Sequence, residues 1–199
     1  MTVLSEGKEA SQETRYFMKK MTEQHLINAF GGESQAHIRY LLFAETAQLE
    51  GLPNIARLLR AIAHAEYLHA GDHYRELRHL KGGFVANSMA AFGPGDTRKN
   101  LDLAIAGETF EIEEMYPVYI EVAKFQHEKG AVRTFQWSYD TEKMHKALFE
   151  KARIAAEKGG DMTLGPVQVC ETCGYTLEGE APDICPLCGV PKDRFRVFA

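Results

Sequence analysis

The chain has 199 residues and a formal net charge of -5, enough for one domain of ordinary size plus a small module, and without the basic footprint of a nucleic-acid binder. It contains no run of about 18 apolar residues, and its first 25 residues are polar and charged, so neither a membrane span nor an export signal is expected and the default compartment is the cytoplasm.

The elements follow one another as four long helical segments. Thr22 suits the N-cap of the first, Gly51 ends it, and Pro53 opens a second that is expected to run to Gly82-Gly83. A loop through Phe84, Met89 and Phe92 to Gly93-Pro94-Gly95 is long enough to cross a bundle, and its apolar residues predict that it packs. The third helix should start near Asp96 or Thr97 and continue to Gly130, with Pro117 forcing a kink or bulge within two turns of Glu111. The fourth ends at Gly159-Gly160, after which Gly165-Pro166 leads into a cysteine-bearing module. The reading is a mainly α chain with a bundle over residues 1–160 and a small metal-binding domain over 161–199.

Each segment carries a core-facing stripe. The first steps through Leu26, Phe30, Glu33, His37, Tyr40, Ala44 and Ala47; the second through Ile55, Leu59, Ile62, Glu66, His69, His73 and Leu77. The third runs Leu101, Ala104, Glu108, Glu111, Met115, Val118 and Val122; the fourth Ala131, Phe135, Ser138, Glu142, His145, Phe149 and Ala152. A glutamate sits near the middle of every stripe, and two open the same motif, Glu66-x-x-His69 and Glu142-x-x-His145. Residues three apart share a helix face and can address one ion. Buried carboxylates repel one another and lose hydration, whereas two divalent cations would nearly balance Glu33, Glu66, Glu108, Glu111 and Glu142. His37, His64, His73 and Glu114 have no comparable pattern and are assigned to packing or surface roles.

The halves repeat. Gly32-Glu33 matches Gly107-Glu108 at an offset of 75, while Arg57, Glu66 and His69 match Arg133, Glu142 and His145 at 76. A pseudo-twofold axis between two helix pairs is implied. Glu111 breaks the symmetry, because Ala36 stands at the equivalent place.

All four cysteines lie in Cys170-x-x-Cys173 and Cys185-x-x-Cys188, with Gly174 and Gly189 where each knuckle turns. Without an export signal this spacing reads as a tetrathiolate metal site rather than two disulfides. Such sites take zinc as readily as iron. From Glu142 to Lys158 a helix advances about 24 Å at ~1.5 Å per residue, away from the carboxylates. Proximity of the two sites would therefore be easier across a head-to-tail homodimer.

The runs Ala29-Phe30-Gly31-Gly32-Glu33-Ser34-Gln35-Ala36 and Ala104-Ile105-Ala106-Gly107-Glu108-x-x-Glu111, with Glu114-Met115-Tyr116-Pro117, both Glu-x-x-His motifs and Cys185-Pro186-Leu187-Cys188-Gly189, closely resemble the rubrerythrin family. The resemblance implies a ferritin-like four-helix bundle holding two non-haem iron ions, joined to a rubredoxin-like domain holding one iron, with zinc as a possible substitute. It also implies a non-haem peroxidase that reduces hydrogen peroxide in oxidative-stress defence, fed by an external donor such as rubredoxin or an NAD(P)H-dependent reductase. Carried over by motif, Glu33, Glu66, His69, Glu108, Glu142 and His145 become di-iron ligands, and Glu111 the carboxylate that exchanges with His69 as one iron changes oxidation state. Tyr40 and Tyr116 become hydrogen-bond donors to the ligands. The family commonly has Arg at the position of His37. Rival readings from the same residues are an iron store or ferroxidase, a manganese or mixed-metal oxidase, and a module whose knuckles hold structural zinc.

Overall fold

The structure is a computed structural model and describes residues 17–199; residues 1–16, counted with the bundle on sequence grounds, lie outside the described residues. Five α-helices come first: α1 Lys20–Leu49, α2 Pro53–Glu76, α3 Thr97–Phe110, α4 Tyr116–Phe125 and α5 Lys129–Glu157. A π-helical turn, Glu111–Met115, joins α3 to α4, so the two together form the third rod of a four-rod bundle. Strands β1 Val167–Cys170, β2 Thr176–Glu178 and β3 Phe195–Phe198 come after the helices as an antiparallel sheet with β1 in the middle.

Several helix ends differ from the sequence expectation. Thr22 lies inside α1, where its backbone N–H and its hydroxyl both donate to Gln126 Oε1 at 3.0 and 2.7 Å, and Lys19 N–H donates to Glu128 Oε1 at 2.8 Å. Orphan donors at the start of α1 are thus met by the α4–α5 corner rather than by a local cap. Helix α2 stops at Glu76, before Gly82. The third rod ends at Phe125, because His127 takes a left-handed backbone (φ 60) and Gly130 already belongs to the first turn of α5. The loop before α3 does cross α1, tied by Gln24 to Val85 O, Gln35 to Met89 O and Asn87 N–H to Asn28 Oδ1. Its large side chains Phe84, Val85, Met89 and Phe92 nevertheless point outward, so main-chain contacts hold it rather than apolar burial.

Helix α2 starts at Pro53, which has no N–H to satisfy, and Asp161 accepts from the next two, Asn54 N–H at 2.7 Å and Ile55 N–H at 3.1 Å. The segment after α5 therefore caps another helix. Asp161→Ala should lower stability by about 1 kcal/mol, and an unchanged urea midpoint would rule out this role.

The stripes on α1, α2 and α5 are buried as expected, with only Phe30 and His37 partly open. The third stripe is buried at Leu101, Ala104, Glu108 and Met115, with Glu111 half-buried, and fails only in α4: Tyr116, Ile120 and Ala123 face inward, while Val118 is exposed. The π turn inserts one residue, rotating the apolar face of α4 relative to that of α3.

The apolar interior is split in two. One cluster joins Leu26, Ala29, Leu77, Tyr116, Ile120 and Phe135; the other joins Ala44, Ile55, Leu59, Ile62, Leu101, Phe149 and, from β1, Val167 and Val169. Glu33 on α1 and Glu142 with His145 on α5 fall between the two stretches that their helices contribute.

Candidate metal centres

At the waist between those clusters two groups of ligand atoms come together, each within 4.8 Å: Glu33, Glu66, His69 and Glu142, and Glu66, Glu108, Glu142 and His145. Glu66 and Glu142 belong to both. His69 Nδ1 lies 3.1 Å from Glu66 Oε2 and 2.9 Å from Glu142 Oε1, while His145 Nδ1 lies 2.7 Å from Glu142 Oε2 and 3.1 Å from Glu66 Oε1. Each shared carboxylate therefore presents one oxygen to each imidazole, the arrangement a bridging ligand needs. Outside this square, Tyr40 donates to Glu108 Oε1 at 2.7 Å and Tyr116 donates to Glu33 Oε1, repeating the twofold pattern of the sequence.

All six ligand candidates are at most 1% exposed. One oxygen on each of Glu33, Glu66, Glu108 and Glu142 is buried without an aligned hydrogen-bond donor. Buried polar atoms are ordinarily satisfied, so four such oxygens around one centre, with two imidazoles offering Nδ1, fit a pair of divalent cations. The protonation pattern agrees. Burial and repulsion from neighbouring carboxylates hold Glu33 and Glu108 well above the usual carboxylate range. Burial acts to lower His145, but Glu66 and Glu142 outweigh it and lift the imidazole to about 9. Burial likewise acts to raise Glu142, and His69 with His145 overcomes it, pulling that carboxyl down. Protons do here what cations would do better.

Glu111 lies outside both groups. It is half-buried on the π turn, and burial together with Glu142 and Glu66 raises its pKa strongly. Glu114 is exposed, and His37 is half-buried with Nδ1 2.6 Å from Ala63 O, in line with the packing and surface roles expected of them. His73 is different. It is fully buried, with Nε2 3.1 Å from the Tyr116 hydroxyl and 3.9 Å from Glu33 Oε1, and Nδ1 3.1 Å from Thr134 Oγ1. Its place in the α2 stripe, four residues beyond His69, was the available signal.

The second centre is formed by Cys170, Cys173, Cys185 and Cys188, whose sulfurs lie within 4.8 Å of one another. Cys170–Cys188 and Cys173–Cys185 Sγ separations are both 3.6 Å, too long for disulfides and close to the ~3.8 Å edge of a tetrahedron with metal–sulfur bonds of ~2.3 Å. Trp137 of α5 packs on this cluster with Tyr175 and Phe195.

The two centres adjoin within one chain, which corrects the expectation that the fourth helix carries the cysteines away. After α5 the segment Gly159–Pro166 doubles back, and the module docks on α2 and α5. Gly174, next to Cys173, has φ 75 and lies so close to His69 that a Cβ there would overlap the imidazole at Nε2. Thr176 accepts from His145 Nε2 at 3.2 Å and donates to Gly174 O at 2.8 Å. His64 Nε2 lies 2.9 Å from Glu171 Oε1, so it too serves the docking face rather than the open surface. Thr176 and the contact of Gly174 had no signal in the sequence beyond the knuckle glycine itself. Backbone strain and overpacking each cost about 1–3 kcal/mol, so Gly174→Ala should destabilise the docked module on the order of 3 kcal/mol. Fluorescence of Trp137, the chain's one tryptophan, would track the transition, and a wild-type midpoint would mean that the contact with His69 is not kept in solution.

A helical bundle with two Glu-x-x-His motifs and two further glutamates facing inward has ferritin-like architecture and a donor set consistent with a pair of iron ions, here with a four-cysteine module on its flank. The family model described as rubrerythrin matches residues 24–153, and that for the rubrerythrin rubredoxin-like domain matches residues 168–196. Rubrerythrin-2 of Clostridium acetobutylicum is 43% identical over 178 residues, covering 89% of this chain and 97% of its own length. Nigerythrin of Nitratidesulfovibrio vulgaris is 32% identical over 89% of this chain and 86% of its own. The solved structure of fully reduced, all-ferrous nigerythrin superposes with a TM-score of 0.79 at 29% identity, covering 94% of this chain and 91% of that one. The chain belongs to the rubrerythrin family, and its fold is a ferritin-like bundle carrying a rubredoxin-like domain.

Proposed function

We propose that the chain is an oxidoreductase that reduces hydrogen peroxide to water at a di-iron site, with electrons relayed through an iron held by the four cysteines. One peroxide takes two electrons and two protons and leaves as two waters. The observation that carries this reading is the apposition of the two centres: a one-electron thiolate site standing directly against both imidazoles of a carboxylate pair has a use in electron transfer and none in storage. Residues 1–160 and 161–199 are the two domains.

Glu33, Glu66, His69 and Glu142 would hold one iron and Glu66, Glu108, Glu142 and His145 the other, with Glu111 in reserve on the π turn. When bound, a ferrous pair supplies two electrons to a single oxygen–oxygen bond, which avoids release of a one-electron radical product. The protein residues supply the rest. The waist excludes bulk water, Tyr40 and Tyr116 hold Glu108 and Glu33 in place, and carboxylates can shift between bridging and terminal binding as charge changes. Thr176 and the Gly174 carbonyl link the Cys173 knuckle to His145. No phosphate-cradling glycine motif accompanies these sites, so the reductant is a separate protein, a rubredoxin or an NAD(P)H-dependent reductase. A homodimer is compatible with this scheme, and the relay does not depend on it, since the centres already adjoin in one chain. No helix among the described residues is long and apolar enough to cross a membrane.

The test is anaerobic stopped-flow spectroscopy on reduced protein of known iron and zinc content, mixed with stoichiometric peroxide. Rapid oxidation of both the di-iron site and the iron–thiolate chromophore is expected. A thiolate site that stays reduced while the di-iron site oxidises would break the relay and favour iron handling; zinc bound in the cysteines of native protein would favour a structural module.

A further inference from the structure

Tyr116 has one hydroxyl hydrogen and two neighbours able to accept it, Glu33 Oε1 and His73 Nε2. Which of them receives it decides whether Glu33 meets a donor or a lone pair. The imidazole settles this through its other nitrogen. His73 Nδ1 is 3.1 Å from Thr134 Oγ1. Helical Ser and Thr hydroxyls often donate back to the carbonyl four residues earlier, as Ser34, Thr109 and Thr141 do here. Among the described residues Thr134 shows no such bond, so its hydrogen is available to His73 Nδ1. That nitrogen then accepts, and Nε2 carries the ring hydrogen.

We infer that His73 is a positioning residue: held by Thr134, it donates from Nε2 to the Tyr116 oxygen and so commits the tyrosine hydrogen to Glu33. The run of donors is unidirectional, from Thr134 through His73 and Tyr116 to the carboxylate, and it joins α5, α2, α4 and α1. Ser138 Oγ, 3.4 Å from His73 Nε2, lies beside the same hydrogen, while Phe135 and Tyr116 pack near the ring with centroids at 5.4 and 6.1 Å. Among the described residues no histidine hydrogen-bonds the Tyr40 hydroxyl, which donates to Glu108, while Phe43, Phe149 and the Arg39 guanidinium pack near its ring. The Glu33 side is therefore the more firmly oriented of the two. The inference rests on the di-metal reading of the waist and is independent of the reaction catalysed there.

Two measurements test it, neither of them an activity. In zinc-loaded protein with 15N-labelled histidine, His73 should be the tautomer protonated at Nε2 and bare at Nδ1; the opposite tautomer would overturn the inference even if no variant folds. In chelator competition, His73→Leu should release the ion on the Glu33 side about 10-fold faster, within the range for loss of an outer hydrogen bond. Tyr116→Phe should do the same, and the double variant should be no faster than Tyr116→Phe alone. His73→Gln, which keeps an N–H donor, should recover most of the loss. Wild-type release from His73→Leu, or additive effects in the double variant, would reject the role. Failure of peroxide turnover would leave these results untouched, so the two readings fail separately.

Discussion

Glu142→Ala should empty both metal positions, whereas Glu33→Ala should empty one. Glu142 places one oxygen by His69 and the other by His145, and it belongs to both ligand groups, while Glu33 belongs to a single group. Removing the shared carboxylate takes a ligand from each ion. It also leaves a buried imidazole at His145, which holds a proton up to about 9, without its nearest anion, a loss of about 3–5 kcal/mol for a broken buried pair. Metal analysis after gel filtration should find fewer than one of the two ions retained in Glu142→Ala, with peroxide turnover down at least 100-fold, roughly the loss of 3 kcal/mol. Glu108→Ala should lose most of its turnover and keep the ion on the Glu33 side. Full metal content or full turnover in Glu142→Ala would refute the bridging assignment.

Stripped of metal at the waist, the protein should be most stable in mildly acidic solution and should weaken steadily as pH rises towards 9. Burial and mutual repulsion raise Glu33, Glu108 and Glu111 above 4.5, so the folded chain keeps protons that the unfolded chain has released. Their contribution is present below 4.5 and is lost as pH rises through the folded values. The imidazoles act in the same sense. Despite burial, the carboxylates lift His69 and His145, the latter to about 9, so their stabilisation is whole below 6.5 and is lost as pH rises through the folded values. Two groups at the waist oppose the trend: Glu142, whose lowered pKa withdraws stability only at low pH, and His73, pushed down to about 3 by burial and by His69, which costs stability as pH falls below 6.5. Between 4.5 and 9 the five groups outweigh His73, the one opposing group at the waist that acts there and then only up to 6.5, each contributing about 1.4 kcal/mol per pH unit while it lies between its two pKa values. Cations replace those protons, so the gap in Tm between loaded and stripped protein should widen with pH. Thermal melts at several pH values, with the cysteine site loaded throughout, would show it. A stripped protein that gains stability from pH 5 to 8 would mean that the waist is open to water.

Much of this site is legible in the sequence because its signals are local. Period and spacing place Glu33, Glu66, His69, Glu142 and His145 on inward faces, and the structure buries all of them. The misreadings share one cause, which is that they depend on other parts of the chain. Thr22 looks like a cap until Gln126 arrives from the far end of α4. His73 looks like one more polar residue on a stripe until Thr134 and Tyr116 surround it. The close approach of the cysteine module to the two imidazoles depends on a missing Cβ at Gly174 and a hydroxyl at Thr176, neither of which any periodicity marks. The π turn, by contrast, had left a trace. The repeat offset is 75 at Glu108 and 76 at Glu142, and Tyr40 and Tyr116 already differ by 76. The additional residue must therefore fall between Glu108 and Tyr116, where the turn Glu111–Met115 lies.

That residue makes the difference between the two ion positions a property of winding rather than of composition. In α1 the tyrosine follows the glutamate by seven positions, Glu33 to Tyr40; in the third rod it follows by eight, Glu108 to Tyr116. Unwinding the π turn to α would swing everything after it by about 100° and carry Tyr116 off Glu33. Exchanging side chains between the halves, Ala36 for Glu111 included, leaves that slack turn in place. The two halves can be made alike only by deleting a residue, so the inequivalence of the two sides of the waist is stored in the main chain and survives drift in the residues around it.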